Sequence, residues 1–228
     1  MLRILLWKFG FEWAHLKRAL WPRVDQKTWY FAFGANLSEE ILALRKIRVF
    51  DSRDYVLEDA ALRFTLAGFY KDHGYASADI AEGEVVYGRM YLILESDALR
   101  MDYFEGVPFL AVHDRVFREF DGNPFYYYRG RVRREGLKPT REYLDYLLTA
   151  YREMDVVPPA YIDSLARTEV LEDLVPADQT GDFVGAIEHW PGFLHPVLVC
   201  YEASCQRLVE FLWNRSLLHW MIRWSSSK

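Results

Sequence analysis

The sequence predicts an α+β fold, on three observations. Short β-rich runs dominate the chain up to about residue 132. Longer helical patterns follow from residue 139. Short helical segments are scattered among the strands rather than alternating with them one for one. Regular alternation would have indicated a doubly wound parallel sheet; strands first and longer helices after indicate segregated α+β architecture.

The elements follow in order. TWYFAF (28–33) is rich in aromatic and β-branched residues and is expected to form a strand. SEEILALR follows, with Ser38 placed to cap a helix and Glu39 and Glu40 favourable in its first turn. ALRFTLAGF (61–69) and YASADI (75–80) are expected as separate strands. EVVYGRMYLIL (84–94) is the strongest strand candidate, with Gly88 marking a bulge or a close backbone approach. Ser96 is placed to cap DALRMDYF, which Gly106 would end. AVHDRVFREF (111–120) and PFYYYRGRV (124–132) flank Asp121-Gly122-Asn123, a hairpin signal. The prolines in PTREYLDYLLTAYREM (139–154) and PPAYIDSLARTEVLED (158–173) open two longer helices.

Three regions result: residues 1–26, 27–172 and 173–228. In the first, Leu2, Leu6, Phe9, Trp13, Leu16 and Leu20 recur at steps of four and three and share one helical face. Arg3, Lys8, Lys17, Arg18 and Arg23 make the segment basic against Glu12 within the helical stretch. A helix packed on protein, either the domain or a second subunit in a homodimer, is preferred here to one lying on a membrane surface. In the last region, glycines and prolines from Gly181 to Pro196 mark a loop-rich stretch. HPVLVCYEA reads as a strand or a helix start, and CQRLVEFLWNRSLLHWMIRW as a closing helix expected to pack its apolar face on protein.

The 228 residues suffice for one large domain or two small ones. A formal charge of −5 gives no electrostatic reason to expect a nucleic-acid partner. Cys200 and Cys205 are too few for a disulfide scaffold and are expected reduced and partly buried. The six histidines form no HExxH or comparable pair, and neither a GxSxG elbow nor a GxxxxGK[ST] loop is present. No metal and no cofactor are expected. No stretch reaches transmembrane length and the N-terminus lacks signal-peptide organisation, so the expected location is cytoplasmic.

Four segments stand in a telling order. Tyr30-Phe31-Ala32-Phe33-Gly34-Ala35-Asn36-Leu37 is similar to a YFAYGSNM signature. Gly83 to Leu94 resembles a strand of V-x-G-x-hydrophobic type. Leu99 to Val107 is close to an LDxxEG segment, and 139–165 resembles a helix followed by GLPxxYxxxL. Together, over roughly residues 28–167, they resemble the γ-glutamylcyclotransferase-like family. The resemblance implies a mixed, barrel-like β-sheet with packed helices, bracketed here by helical extensions. It also implies a small γ-glutamyl compound as substrate, whose α-amine attacks its own γ-carbonyl to form 5-oxoproline.

Such a reaction needs little from the protein beyond folding the substrate and moving protons, because nucleophile and electrophile share one molecule. One carboxyl group can take a proton from the α-ammonium and protonate the leaving nitrogen. Glu105 stands at the family's acid/base position, and partial burial is expected to raise its pKa toward neutrality. Asp102, one turn away, is expected to be structural. The resemblance assigns the substrate's α-carboxylate to the backbone amides of Phe33, Gly34, Ala35 and Asn36. Gly34 permits close approach, and Asn36 braces the loop. FGAN replaces YGSN, and the sequence after Glu105-Gly106-Val107 lacks the family's tyrosine. Tyr126 and Tyr128 share a strand face, and Tyr128 is the preferred replacement. A non-catalytic small-ligand module and a partner-binding protein of the same fold are the alternatives.

Overall fold

The structure, a computed structural model, describes residues 1–20, 26–68, 70–107, 112–175 and 190–213. The chain divides into two compact units, residues 24–177 and residues 1–23 with 178–228. The larger unit contains β1 (Lys27–Ala32), α2 (Glu39–Leu44), β2 (Asp51–Ala67), β3 (Gly74–Leu94), α3 (Glu95–Phe104), β4 (His113–Phe120), β5 (Asn123–Gly130), α4 (Arg141–Arg152) and α5 (Pro159–Ala166). The smaller contains α1 (Leu2–Leu20) and α6 (His195–Trp213).

The five strands form one mixed sheet in the order β2-β3-β1-β5-β4. β1 runs antiparallel to β3 and parallel to β5, so it is the central strand. The α+β class is as the sequence predicts, but the sheet is open rather than a closed barrel. β2 and β4 are its two edges, and no ladder joins them among the described residues. Curvature is present without closure. The β2–β3 ladder shifts register between Glu58 and Ala60 and between Arg63 and Leu66, and such irregularities bend a strand pair. The bent tip reaches the chain leaving β5: the Gly130 N–H donates to Ser77 Oγ at 3.2 Å and the Arg134 N–H to the Thr65 carbonyl at 2.9 Å.

β1 and β5 have two aromatic faces. Phe31, Phe33, Phe125 and Tyr127 pack together on one. Tyr30, Tyr126 and Tyr128 pack together on the other. This alternation is the period of two expected of a strand buried on both sides. Helix α4 buries Leu144, Leu147, Leu148 and Tyr151, and the Tyr151 hydroxyl donates to the Phe33 carbonyl at 2.8 Å.

Several local expectations are revised. YASADI and EVVYGRMYLIL belong to one strand of 21 residues, and β2 begins ten residues before ALRFTLAGF. Gly88 is a close approach and no bulge: it stays in register with Tyr55, and a Cβ there would collide with the Ala32 carbonyl and the Phe31 ring. Ser96 does not cap α3. The helix starts two residues earlier than expected, directly from β3, with Leu94 at the cap position. Ser38 does cap α2, accepting from the Glu40 and Ile41 N–H groups. Asp121 and Gly122, both with positive φ, make the two-residue β4–β5 turn, which suits a type I′ hairpin.

In the smaller unit, HPVLVCYEA is helical. The amino terminus donates to the Tyr201 hydroxyl at 2.8 Å, and Ile4 and Cys205 are fully buried. Leu2, Leu6, Phe9 and Trp13 are exposed within this single chain, and Ile4, which lies off their stripe, is the buried position. Cys200 is exposed rather than partly buried, and both cysteines are free. The expected continuation of the closing helix beyond residue 213 lies outside the described residues. No described helix is long and apolar enough to cross a membrane.

Candidate active site

Glu105 owes its position to how α3 stops. It is the C-cap residue, followed by Gly106 at φ +66°. The Gly106 N–H bonds to the Tyr103 carbonyl at 3.4 Å and the Val107 N–H to the Asp102 carbonyl at 2.9 Å. This is a Schellman ending, which needs a left-handed residue that glycine supplies without a Cβ clash. The helix therefore ends at a fixed place, beside the turn that follows β1.

That turn is short. β1 ends at Ala32, and Ala35–Leu37 form a single 3₁₀ turn before α2. The Leu37 N–H bonds back to the Gly34 carbonyl at 3.0 Å. The N–H groups of Ala35 and Asn36 lie outside the sheet ladder and have no hydrogen-bond partner among the described residues, as expected at the start of a helical turn. Gly34 has φ −118°, so its value here is space: a Cβ would lie 3.3 Å from the Tyr143 hydroxyl. The Ala35 carbonyl accepts from the Tyr146 hydroxyl at 2.6 Å, which pins the turn to α4.

Asn36 joins the two halves. Its buried Nδ2 donates to Tyr30 Oη at 2.7 Å and to Glu105 Oε1 at 3.2 Å, while its Oδ1 has no partner. Arg45, at the C-cap of α2, donates from Nη1 to the same Oε1 at 2.8 Å, and its guanidinium lies 4.9 Å from the Phe104 ring. On the other carboxylate oxygen, His113 Nδ1 stands 3.4 Å from Oε2 and 2.9 Å from the Glu105 main-chain oxygen. Burial pushes the Glu105 pKa up, but the charges of His113 and Arg45 and the hydrogen bonds from Arg45 and Asn36 outweigh it. The carboxyl is held below the usual glutamate range. This corrects the expectation of a raised pKa, which considered burial without the two cations.

Asp102 is engaged differently. Arg115 grips both its oxygens, at 2.6 and 2.7 Å, and the Tyr128 hydroxyl donates to Oδ1 at 2.8 Å. Tyr128 is thus a brace, with its hydroxyl already committed. Tyr126, on the same strand face, is buried beside Tyr128, and burial pushes its phenol pKa up. Phe33 turns its ring to the opposite aromatic face, so of Phe33 only the main chain reaches toward the turn.

The structure therefore gathers Glu105, Asn36, Ala35 and Gly34, sends the Phe33 side chain elsewhere, and adds Arg45, His113, Tyr30 and Tyr126. Two surface clefts, of about 670 and 400 Å³, do not include Glu105; the second borders the turn through Leu37 and Ser38. Among the described residues, no group of three or more His, Cys, Asp or Glu side chains is arranged to hold a metal ion. Residues 108–111, where the sequence departs from the family pattern, lie outside the described residues.

No protein-family model and no curated protein matches the sequence. Solved structures do match. A γ-glutamyl cyclotransferase aligns at 20% identity and TM-score 0.53, over 68% of this chain and 95% of its own. An uncharacterized human protein aligns at 21% and 0.53 over the same shares. YkqA from Bacillus subtilis aligns at 18% and 0.52, over 68% of this chain and 58% of its own. With Glu105 closing α3 beside the turn after β1 in an open mixed sheet, the chain has the γ-glutamyl cyclotransferase fold.

Proposed function

We propose that the chain is a cyclotransferase that releases 5-oxoproline from a γ-glutamyl amine or a related small metabolite, with Glu105 as its acid/base. One observation carries this reading: on this fold, the Glu105 carboxylate lies at Asn36, in a turn whose Ala35 and Asn36 amides have no partner among the described residues. The amides suit a substrate carboxylate. The carboxylate suits an ammonium. The α-ammonium gives one proton to Glu105, and its nitrogen forms a bond to the γ-carbonyl carbon. Glu105 then protonates the departing nitrogen as the amide C–N bond breaks, and the ring nitrogen passes its second proton through the Glu105 carboxylate to the released amine, leaving a neutral lactam and an ammonium product. The Asn36 Oδ1, which has no partner among the described residues, is a further polar atom available to a ligand.

Arg45 bears on the first step. It shares Oε1 with Asn36, so an incoming ammonium meets the other oxygen, Oε2, beside a guanidinium of its own charge. That occupancy also favours a second reading, a small-ligand-binding module of the same fold that performs no chemistry. Incubating the protein with a panel of γ-glutamyl amines and dipeptides, with mass-spectrometric detection of 5-oxoproline, separates the two. Turnover above the Glu105→Gln background is the expected result. Saturable binding with no 5-oxoproline from any member would establish the second reading instead.

A further inference from the structure

Glu105 meets two cationic side chains of different kinds. Arg45 is charged at every accessible pH. An imidazole changes its charge between about pH 5 and 8. The geometry ties His113 to Glu105 twice. Its Nδ1 lies 2.9 Å from the Glu105 main-chain oxygen, an atom that can only accept, so Nδ1 carries the proton. The same Nδ1 is 3.4 Å from Oε2, the carboxylate oxygen that Arg45 and Asn36 leave open. With the tautomer fixed in this way, Nε2 is the nitrogen that gains or loses a proton, and it has no partner among the described residues.

The surroundings hold the ring in place. His113 is the first residue of β4 and pairs across to Gly130. The Tyr128 ring stands edge-on to it at 6.1 Å. The other groups near it are fixed in charge. Tyr128 stays a neutral phenol, because burial raises its pKa well above the ordinary value. Beyond it, Asp102 and Arg115 are committed to each other. Arg45 remains a cation on the far oxygen.

We propose that His113 is a positioning residue for Glu105, the switchable one of two cations on the carboxylate, whose charged form favours the base and whose neutral form favours the acid. This rests on the reading of Glu105 as the acid/base. It supplies what one fixed counter-charge does not. A carboxylate held only by an arginine is a weak acid/base pair for neutral pH, whereas one whose second counter-charge comes and goes changes proton affinity within the working range. The His113 charge and the Arg45 charge both oppose the effect of burial on Glu105.

The test uses two variants and two readouts. His113→Asn keeps a donor near the Nδ1 position and removes the charge; His113→Ala removes both. Carbon-13 NMR of labelled glutamate, assigned with Glu105→Gln, follows the Glu105 carboxyl directly. The expected result is a titration moved upward by about one unit or more in both variants, and loss from kcat/KM of a near-neutral limb present in the wild type. A Glu105 titration unchanged in His113→Asn, or a limb that this variant retains, would overturn the proposal and leave the ring a hydrogen-bonding brace. The NMR arm needs no turnover. A shifted titration in a protein that forms no 5-oxoproline would uphold the His113–Glu105 coupling while sinking the cyclotransferase reading.

Discussion

Asp102 and Glu105 lie one helical turn apart on α3, and each carboxylate meets an arginine, but the two are held in opposite ways. Arg115 takes both oxygens of Asp102 in a fork and Tyr128 adds a third bond, so that the group is closed on itself. Burial still pushes the Asp102 pKa up, with Arg115 and Tyr128 offsetting part of the effect and the Glu105 charge adding to it. Arg45 touches one oxygen of Glu105, Asn36 shares that oxygen, and the other faces only an imidazole at 3.4 Å. The closed pair joins β4 to α3. The open one keeps an oxygen for something that arrives. Two acidic residues at i and i+3 thus differ in the number of bonds each has left to make, which suits one to bracing and the other to the proposed acid/base role.

The largest expected effect tests the open partner. Glu105→Gln should lower 5-oxoproline formation by roughly a hundred- to ten-thousandfold, the usual range for general acid–base catalysis, with near-wild-type circular dichroism. Gln fits the same space and cannot accept and return a proton. Turnover within a few fold of wild type would end the assignment.

Next comes the closed partner. Asp102→Asn leaves the Arg115 charge partly buried and unmatched, and breaking such a pair costs about 3 kcal/mol. In a chain of this size that is a fall in Tm of roughly 6–12 °C. Activity at a temperature where the variant is folded should change far less than in Glu105→Gln. Equal losses of activity would erase the distinction between the two carboxylates.

Gly106→Ala probes the geometry that separates them. Alanine in the left-handed conformation costs about 1–2 kcal/mol, so Tm should drop by roughly 2–8 °C. Because the Schellman turn aims Glu105, kcat should fall more than KM rises. An unchanged kcat would show that Asn36 and Arg45 position the carboxyl without the turn.

The smallest effect is on stability against pH. The folded pKa of Glu105 is depressed, so its contribution is fully present above the ordinary glutamate range and is lost as pH falls through the lower folded value. Denaturant midpoints of wild type should therefore decline through that acid window, and those of Glu105→Gln should decline less. Parallel curves for the two proteins would contradict the depressed value.

Legibility in the sequence followed locality. Gly106 after an apolar helix, Ser38 before two glutamates and Asp121-Gly122 between two β-rich runs each act within a few residues, and each could be read directly. The first half of β2 could not. DSRDYVLEDA is acidic and partly exposed because it lies at the sheet edge, where one flank needs no apolar partner. Ser96 was a plausible cap two residues too late, since β3 passes into α3 without a loop. In the site, Asn36 and Glu105 were legible through the motif resemblance. Arg45 was not, because it reaches Glu105 across 60 residues and no local pattern marks it. His113 is close in sequence but belongs to no motif, and the expected rise in the Glu105 pKa failed for want of both. Tyr128 lies on the expected strand face, and its hydroxyl is engaged by Asp102, which no local pattern in the sequence announces.

The central place of β1 has a consequence for the order of assembly. The β2–β3 hairpin and the two-residue β4–β5 hairpin pair segments that are neighbours in the chain. By contrast, β1 must enter between β3 and β5, setting Trp29 against both Leu92 and Phe125. Closing such long loops is entropically costly, and pairings of this kind form slowly. The bond from Asn36 to Glu105 spans 69 residues and depends on that insertion. A refolding chain should therefore regain most of its strand signal before it regains a Glu105 carboxyl with its native partners, and activity should return as the last phase of recovery.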